Sequence, residues 1–171
     1  MPKEIAASAR ISPLAYCEES SRGSRLVVGE RTFIDAFVAI KFSGGTGDVA
    51  IGEETYLNAG TVLYSGNGIT IGDRVMIAAN CTFAPTTHAF ERRDLPMIRQ
   101  RFMPRRGGLL LEDDVWIGAN CVILDGAVLR RGCVVGANSL VNGELAPFSI
   151  NYGSPARFVR WRPDPRPEAP S

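Results

Sequence analysis

The stretch Leu111–Val141, LEDDVWIGANCVILDGAVLRRGCVVGANSLV, decides the fold. An aliphatic residue returns at every sixth position: Leu111, Ile117, Ile123, Leu129, Val135 and Val141. Four residues after each of the first five stands a small or slender one, Val115, Cys121, Ala127, Cys133 or Ser139. Each small residue therefore lies two positions before the next aliphatic one, and residues two apart on an extended segment point to the same side. Two or three residues remain between such segments, enough to turn a corner and too few for a helix of period 3.6.

The same phase runs upstream with interruptions: Val28, Ile34, Ile40, then Ile51, Leu57, Leu63, then Ile71, Ile77, Phe83. Three hexads make one unit, and units begin at 28, 51, 71, 111 and 129, separated by 23, 20, 40 and 18 residues. The last gap is the bare repeat, and the others are that repeat with insertions. Gly60, Asn80, Asn120 and Asn138 hold the equivalent corner of successive units, and Gly and Asn tolerate the positive φ of a tight corner. The pattern predicts an all-β chain, a parallel β-helix with three flat faces, about 18 residues per turn and about five coils. Residues 1–27 are expected to cap one end and residues 28–160 to form the β-helix domain. A loop should protrude over about 86–108, and residues 161–171 read as a Pro-rich tail.

With 171 residues and 45% hydrophobic content, the chain is long enough for one sizeable core. A net charge of +1 gives no global pull toward nucleic acid or a membrane surface. The N-terminal residues lack the apolar run of a signal peptide, and no membrane span is expected, which argues for a cytoplasmic protein. Cys17, Cys81, Cys121 and Cys133 form no C-x-x-C pair and read as reduced thiols, the last three at small interior positions. One histidine per chain cannot supply a site built from several imidazoles within one subunit, so no metal is expected.

That histidine, His88, stands in CTFAPTTHAFERRDLP, where the pattern stops and about 22 extra residues follow. The segment Glu91–Arg106 holds Arg92, Arg93, Arg99, Arg101, Arg105 and Arg106 against Glu91 and Asp94. Such a run serves either as a solvated face or as a holder of an anionic acceptor, Arg92 and Arg93 being the nearest to His88 in sequence. Trp116 lies between inward Val115 and Ile117, so alternation turns its indole outward, where it needs a partner surface.

The motifs YLNAG, IGDRVMIAANCTFAPTTHAF, the long stretch from Asp113 to Val141, and GSPARFVR resemble the hexapeptide-repeat acyltransferases over most of residues 28–160. Within that superfamily they are most similar to sugar O-acetyltransferases of the maltose, galactoside and polysaccharide type. The resemblance implies a left-handed coil, which the general preference for right-handed crossovers would not have suggested. It further implies transfer of acetyl from acetyl-CoA to a saccharide hydroxyl in a homotrimer, with His88 as general base. By the same resemblance Asn58 contacts the acceptor, and Asp35 holds the equivalent place one unit earlier. The Ala119 N–H steadies the developing oxyanion, and Trp116 borders the cleft between subunits. Gly118, Ala119, Gly136, Ala137 and Ser139 are the expected wall for the coenzyme. The family often follows its last repeat with a Thr-Lys pair for the coenzyme's phosphates, whereas Asn142 and Gly143 stand here, which leaves Arg157 and Arg160 for that work.

Alternatives stay open: an N-acetyltransferase of a nucleotide-linked amino sugar, and a non-catalytic β-helix assembly subunit. A carbonic anhydrase on this fold is set aside, because it would need several zinc-ligating histidines.

Overall fold

In each hexad the aliphatic residue and its small companion face inward and the residue between them faces out. Stacking such segments buries a continuous column on each of three faces. The computed structural model describes residues 3–164. The first sheet has seven strands: β1 (Lys3–Ile5), β4 (Leu26–Val28), β7 (Val49–Ile51), β10 (Ile69–Ile71), β13 (Leu109–Leu111), β16 (Val128–Leu129) and β19 (Glu144–Leu145). The second has eight: β2 (Arg10–Ile11), β5 (Phe33–Ile34), β8 (Tyr56–Leu57), β11 (Met76–Ile77), β14 (Trp116–Ile117), β17 (Val134–Val135), β20 (Ser149–Gly153) and β21 (Ala156–Trp161). The third has six: β3 (Tyr16–Cys17), β6 (Ala39–Lys41), β9 (Val62–Tyr64), β12 (Thr82–Ala84), β15 (Val122–Leu124) and β18 (Leu140–Val141). Every pairing is parallel except that of β20 with β21, which is antiparallel.

The registers stack like on like. Ile34, Leu57, Ile77, Ile117 and Val135 form one inward column, and Ile40, Leu63, Phe83, Ile123 and Val141 another. Nearly all are fully buried. At about 1.5–3 kcal/mol for each aliphatic side chain removed from water, these columns are the main source of stability. At the corner between the first and second sheets, Thr32 Oγ1 donates to the Gly52 carbonyl (2.7 Å) and accepts from Thr55 N–H (3.1 Å); Thr55 repeats the arrangement one coil on, toward Gly72 and Val75. A hydroxyl that both donates and accepts can be buried at little penalty.

The corners expected to turn through positive φ do so: Gly60 (73°), Asn80 (61°), Asn120 (59°) and Asn138 (58°). The same conformation is adopted where sequence gave no hint, by Phe37 in this column and by Arg31, Glu54, Arg74 and Asp114 at the corner before the second sheet. Each of these last three sends its N–H back to the preceding coil: Glu54 to Glu30 O (2.8 Å), Arg74 to Glu53 O (2.9 Å), Asp114 to Asp73 O (3.0 Å). Tertiary hydrogen bonds thus hold a backbone state that side chains other than Gly and Asn seldom adopt.

Two differences from expectation concern extent. The described residues contain six complete coils and a partial seventh, more than about five. The extra coil comes from residues 3–17, expected as a cap: Ile5, Ile11 and Cys17 are six apart and pair with Val28, Ile34 and Ile40. At the other end β20 and β21 form a hairpin on the second sheet. Beyond Asp164 the expected Pro-rich tail lies outside the described residues. All interruptions of the repeat, residues 18–25, 42–48, 65–68 and 85–108, lie between a strand of the third sheet and the next strand of the first, so they line one edge of the prism. No helix among the described residues is long and apolar enough to cross a membrane.

Candidate active site

The long loop leaves the prism after β12. Pro85 is buried and its carbonyl accepts from Asn67 N–H (3.3 Å). Thr86 packs against Gly44 and Gly66, where an added Cβ would lie 2.9 Å from its Oγ1 and its Cγ2 respectively. The chain then pairs with its own return: Met103 N–H donates to Thr87 O (2.8 Å) and Ala89 N–H to Arg101 O (3.0 Å), with His88 bridging Phe102 in antiparallel fashion. Inside the loop lies the short helix α1 (Met97–Gln100).

The paired root fixes the imidazole. His88 stacks on Phe102 with centroids 4.6 Å apart and planes 32° apart, and Nδ1 lies 3.2 Å from the Arg101 carbonyl oxygen. A carbonyl can only accept, so this contact requires the proton on Nδ1 and leaves the neutral ring's lone pair on Nε2. The ring is exposed, and an oriented, unprotonated Nε2 on an accessible imidazole can take a proton.

The other expected site residues gather elsewhere. Asp35, Asn58, Gly118, Ala119, Gly136 and Ala137 lie at the corner from the second to the third sheet. Asp35 accepts from Ala36 N–H through Oδ1 (2.7 Å), and Asn58 donates through Nδ2 to the Ile77 carbonyl (2.7 Å). Ala119 gives its carbonyl to Asn138 N–H (2.9 Å), while among the described residues its own N–H takes no part in the ladder. Trp116 stands just before this corner, 49% exposed and in register with Met76 and Val134. An added Cβ on Gly118 would come within 2.6 Å of Ala137 N, and one on Gly136 within 2.8 Å of Tyr152 Cβ, so coil stacking alone demands both glycines. Ser139 is buried; it donates to Gly136 O (2.6 Å) and accepts from Gly153 N–H (3.1 Å), which makes it an internal pin with no open surface.

His88 departs from the other end of the third face. Between Asn80 and Pro85 the chain covers roughly 15 Å at the rise of an extended strand. One chain therefore sets Asn58, Ala119 and Trp116 on one edge of the prism and His88 on the next.

Comparison with known proteins agrees with this architecture. Residues 109–143 match the family described as bacterial transferase hexapeptide (six repeats), and residues 48–82 match hexapeptide repeat of succinyl-transferase. The chain belongs to the hexapeptide-repeat superfamily. Its coil is the left-handed parallel β-helix. This hexapeptide-repeat chain is 29% identical over 133 residues to galactoside O-acetyltransferase of Escherichia coli, covering 78% of this chain and 62% of the relative. It is 30% identical over 116 residues to a probable acetyltransferase of Mycobacterium tuberculosis, covering 68% of this chain and 38% of the relative. Across the first three relatives it spans 38% to 62% of their length. Among solved structures, a variant of AntD, an N-acyltransferase from Bacillus cereus in complex with dTDP-4-amino-4,6-dideoxyglucose and coenzyme A, matches with TM-score 0.79 at 27% identity, over 94% of this chain and 84% of that one. The hexapeptide-repeat-containing acetyltransferase VCA0836 from Vibrio cholerae matches with TM-score 0.64 at 28% identity, over 92% and 72%.

In this hexapeptide-repeat chain Arg92 is paired with Asp94, Arg106 donates to Asn142 O (3.2 Å) and Arg105 reaches Thr46 Oγ1 (3.5 Å), and all three, like Arg93, are exposed. Arg157 and Arg160 lie on β21 beyond the last coil, paired with Tyr152 and Ile150 of β20, and their guanidinium groups donate to Ala156 O and Trp161 O. Two features escaped sequence reasoning. One is a groove of about 650 Å³ over the first coils, lined by Arg10, Arg31, Phe33 and Tyr56. It could not be foreseen without recognising the first coil. The other is buried Asp125, which accepts from Asn67 Nδ2 (3.0 Å), Arg106 N–H (2.9 Å) and Gly108 N–H (3.0 Å).

Proposed function

We propose that the chain is an acyl-CoA-dependent acyltransferase that moves an acetyl group to a saccharide hydroxyl, working as a homotrimer. The observation that carries this reading is the exposed imidazole whose Nδ1 is tied to the Arg101 carbonyl, leaving Nε2 free as a base. The galactoside O-acetyltransferase relatives and the coenzyme A named with AntD support the substrate classes.

In this mechanism Nε2 of His88 takes the proton of the acceptor hydroxyl as its oxygen attacks the thioester carbonyl. The Ala119 N–H of a neighbouring copy faces the negative charge growing on that carbonyl oxygen. The carbon–sulfur bond then breaks, and the imidazolium returns its proton to the departing thiolate. No acyl-enzyme is required. Gly118, Gly136 and Ala137 give a flat wall for the pantetheine arm, Arg157 and Arg160 are placed for its phosphates, and Asn58, Asp35 and Trp116 border the acceptor. Ser139 serves this wall from inside.

A neighbouring copy is needed because His88 and Ala119 lie on different edges of one prism. Thiol release from acetyl-CoA with a panel of simple, amino and nucleotide-linked sugars tests the reading. Replacing His88 with Ala should lower kcat by about 10²- to 10⁴-fold without changing the assembly. Unchanged kcat would reject the base.

A second reading, transfer to the amine of a nucleotide-linked sugar, draws on the structural likeness to AntD. Release stimulated by amino sugars and not by neutral ones would select it.

A further inference from the structure

The repeat has no internal use for a buried carboxylate, yet Asp125 is 5% exposed and receives three hydrogen bonds from two other segments. Two come from backbone amides of the loop's returning end, Arg106 and Gly108, and the third from Asn67 in the turn before β10. The three segments are tightly stacked. Gly126 N–H donates to Gly108 O (2.8 Å), Leu109 N–H to Gly68 O (2.9 Å), and an added Cβ on Gly108 would fall 2.6 Å from the Gly68 carbonyl oxygen.

Only Pro104 and Arg105 separate this knot from the strand that holds His88. Residues 101–103 pair with 87–89, supply the carbonyl that fixes Nδ1, and lay Phe102 under the ring. A link of two residues has little slack, so a displacement of Arg106 is passed on to Met103.

We propose that Asp125 is a positioning residue: its carboxylate clamps the returning end of the loop to the prism and thereby sets where the His88 imidazole stands. The kinetic part rests on the acyl-transfer reading above; the clamp itself does not. An ionised carboxylate suits this task because both oxygens only accept, and all three groups aimed at them are N–H donors. An amide of the same shape would present an NH2 to a donor and undo at least one contact.

The test is Asp125→Asn in the full chain, read by steady-state kinetics and by amide exchange resolved along the sequence. Misplacing a base by about 1 Å can reduce turnover 10²-fold, so kcat should fall about 10- to 100-fold with KM for acetyl-CoA unchanged. Exchange should rise over residues 86–108 and stay unaltered in β13–β18. Asn67→Ala, which leaves both loop amides on Asp125, should give the same pattern more weakly, and it carries the test if Asp125→Asn does not fold. A kcat within twofold of the unmodified chain, or faster exchange spread evenly through the coils, would overturn the clamp. If the unmodified chain releases no thiol with any acceptor, the acyl-transfer reading fails and exchange over 86–108 alone judges the clamp.

Discussion

Cys81, Cys121 and Cys133 occupy inward positions of the repeat and have no exposed surface. Cys81 and Cys121 sit in adjacent coils and donate to the carbonyls of Gly118 and Gly136, each at 3.2 Å. Burial drives the Cys133 thiol up to about 12; of the two neighbouring thiols, Cys81 is pushed well above its ordinary value by Cys121 and by burial, and Cys121 is drawn down to about 7 by Cys81. All three have no surface for a reagent to reach, and that lack of access, whatever their charge, keeps them from reacting. A chromogenic disulfide at pH 8 should therefore titrate at most Cys17 in the folded chain and all four thiols once it is unfolded; rapid native reaction of more than one would contradict the packing. At this scale His88 was legible because it is the one histidine and stands where the period fails. Asp125 was not: in ILDGA an Asp before a Gly reads as a solvated turn, and only the return of a loop from 17 to 19 residues upstream buries it.

The corner is the element that makes this fold, since flat strands stack without difficulty and only the bends require an unusual backbone. Asn120 turns at φ 59° while its N–H reaches back to Ala79 O (3.0 Å). Replacing Asn120 with Ala should destabilise the chain by about 1–2 kcal/mol, and Gly should be nearly neutral, measured by chemical unfolding. Equal effects of Ala and Gly would mean that the side chain, not the backbone state, matters there. The Asn corners could be read from sequence because Asn is a common occupant of that conformation. Phe37, Arg31 and Glu54 could not, because such residues seldom adopt it, and the bond to the preceding coil that holds them there leaves no mark in residue type. The first coil was missed for a related reason. Its hexad Ile5, Ile11, Cys17 keeps the period, but its end position leaves Ile5 40% exposed, and the segment lacks the IG pairs that mark later coils.

Along the second face the residues between inward positions make an outward stripe: Phe33, Tyr56, Met76, Trp116 and Val134, in register from coil to coil. Tyr56, Met76 and Trp116 are each about half exposed, a contiguous apolar surface of a kind rarely left open on a monomer. In the proposed trimer a neighbouring copy covers it. Light scattering should give three times the chain mass, and Met76→Glu should yield single chains that fold but transfer no acetyl group, since His88 is then parted from its neighbour's Ala119. A fully active single chain would end the shared-cleft proposal.

Because every interruption of the repeat emerges at one edge, the prism has two smooth flanks and a single ragged ridge. Smooth flanks suit contact with identical rods, and a ridge can vary in length without shifting any rung of the stack. Where the chain climbs from one storey to the next thus separates the parts free to change from those that must stay uniform.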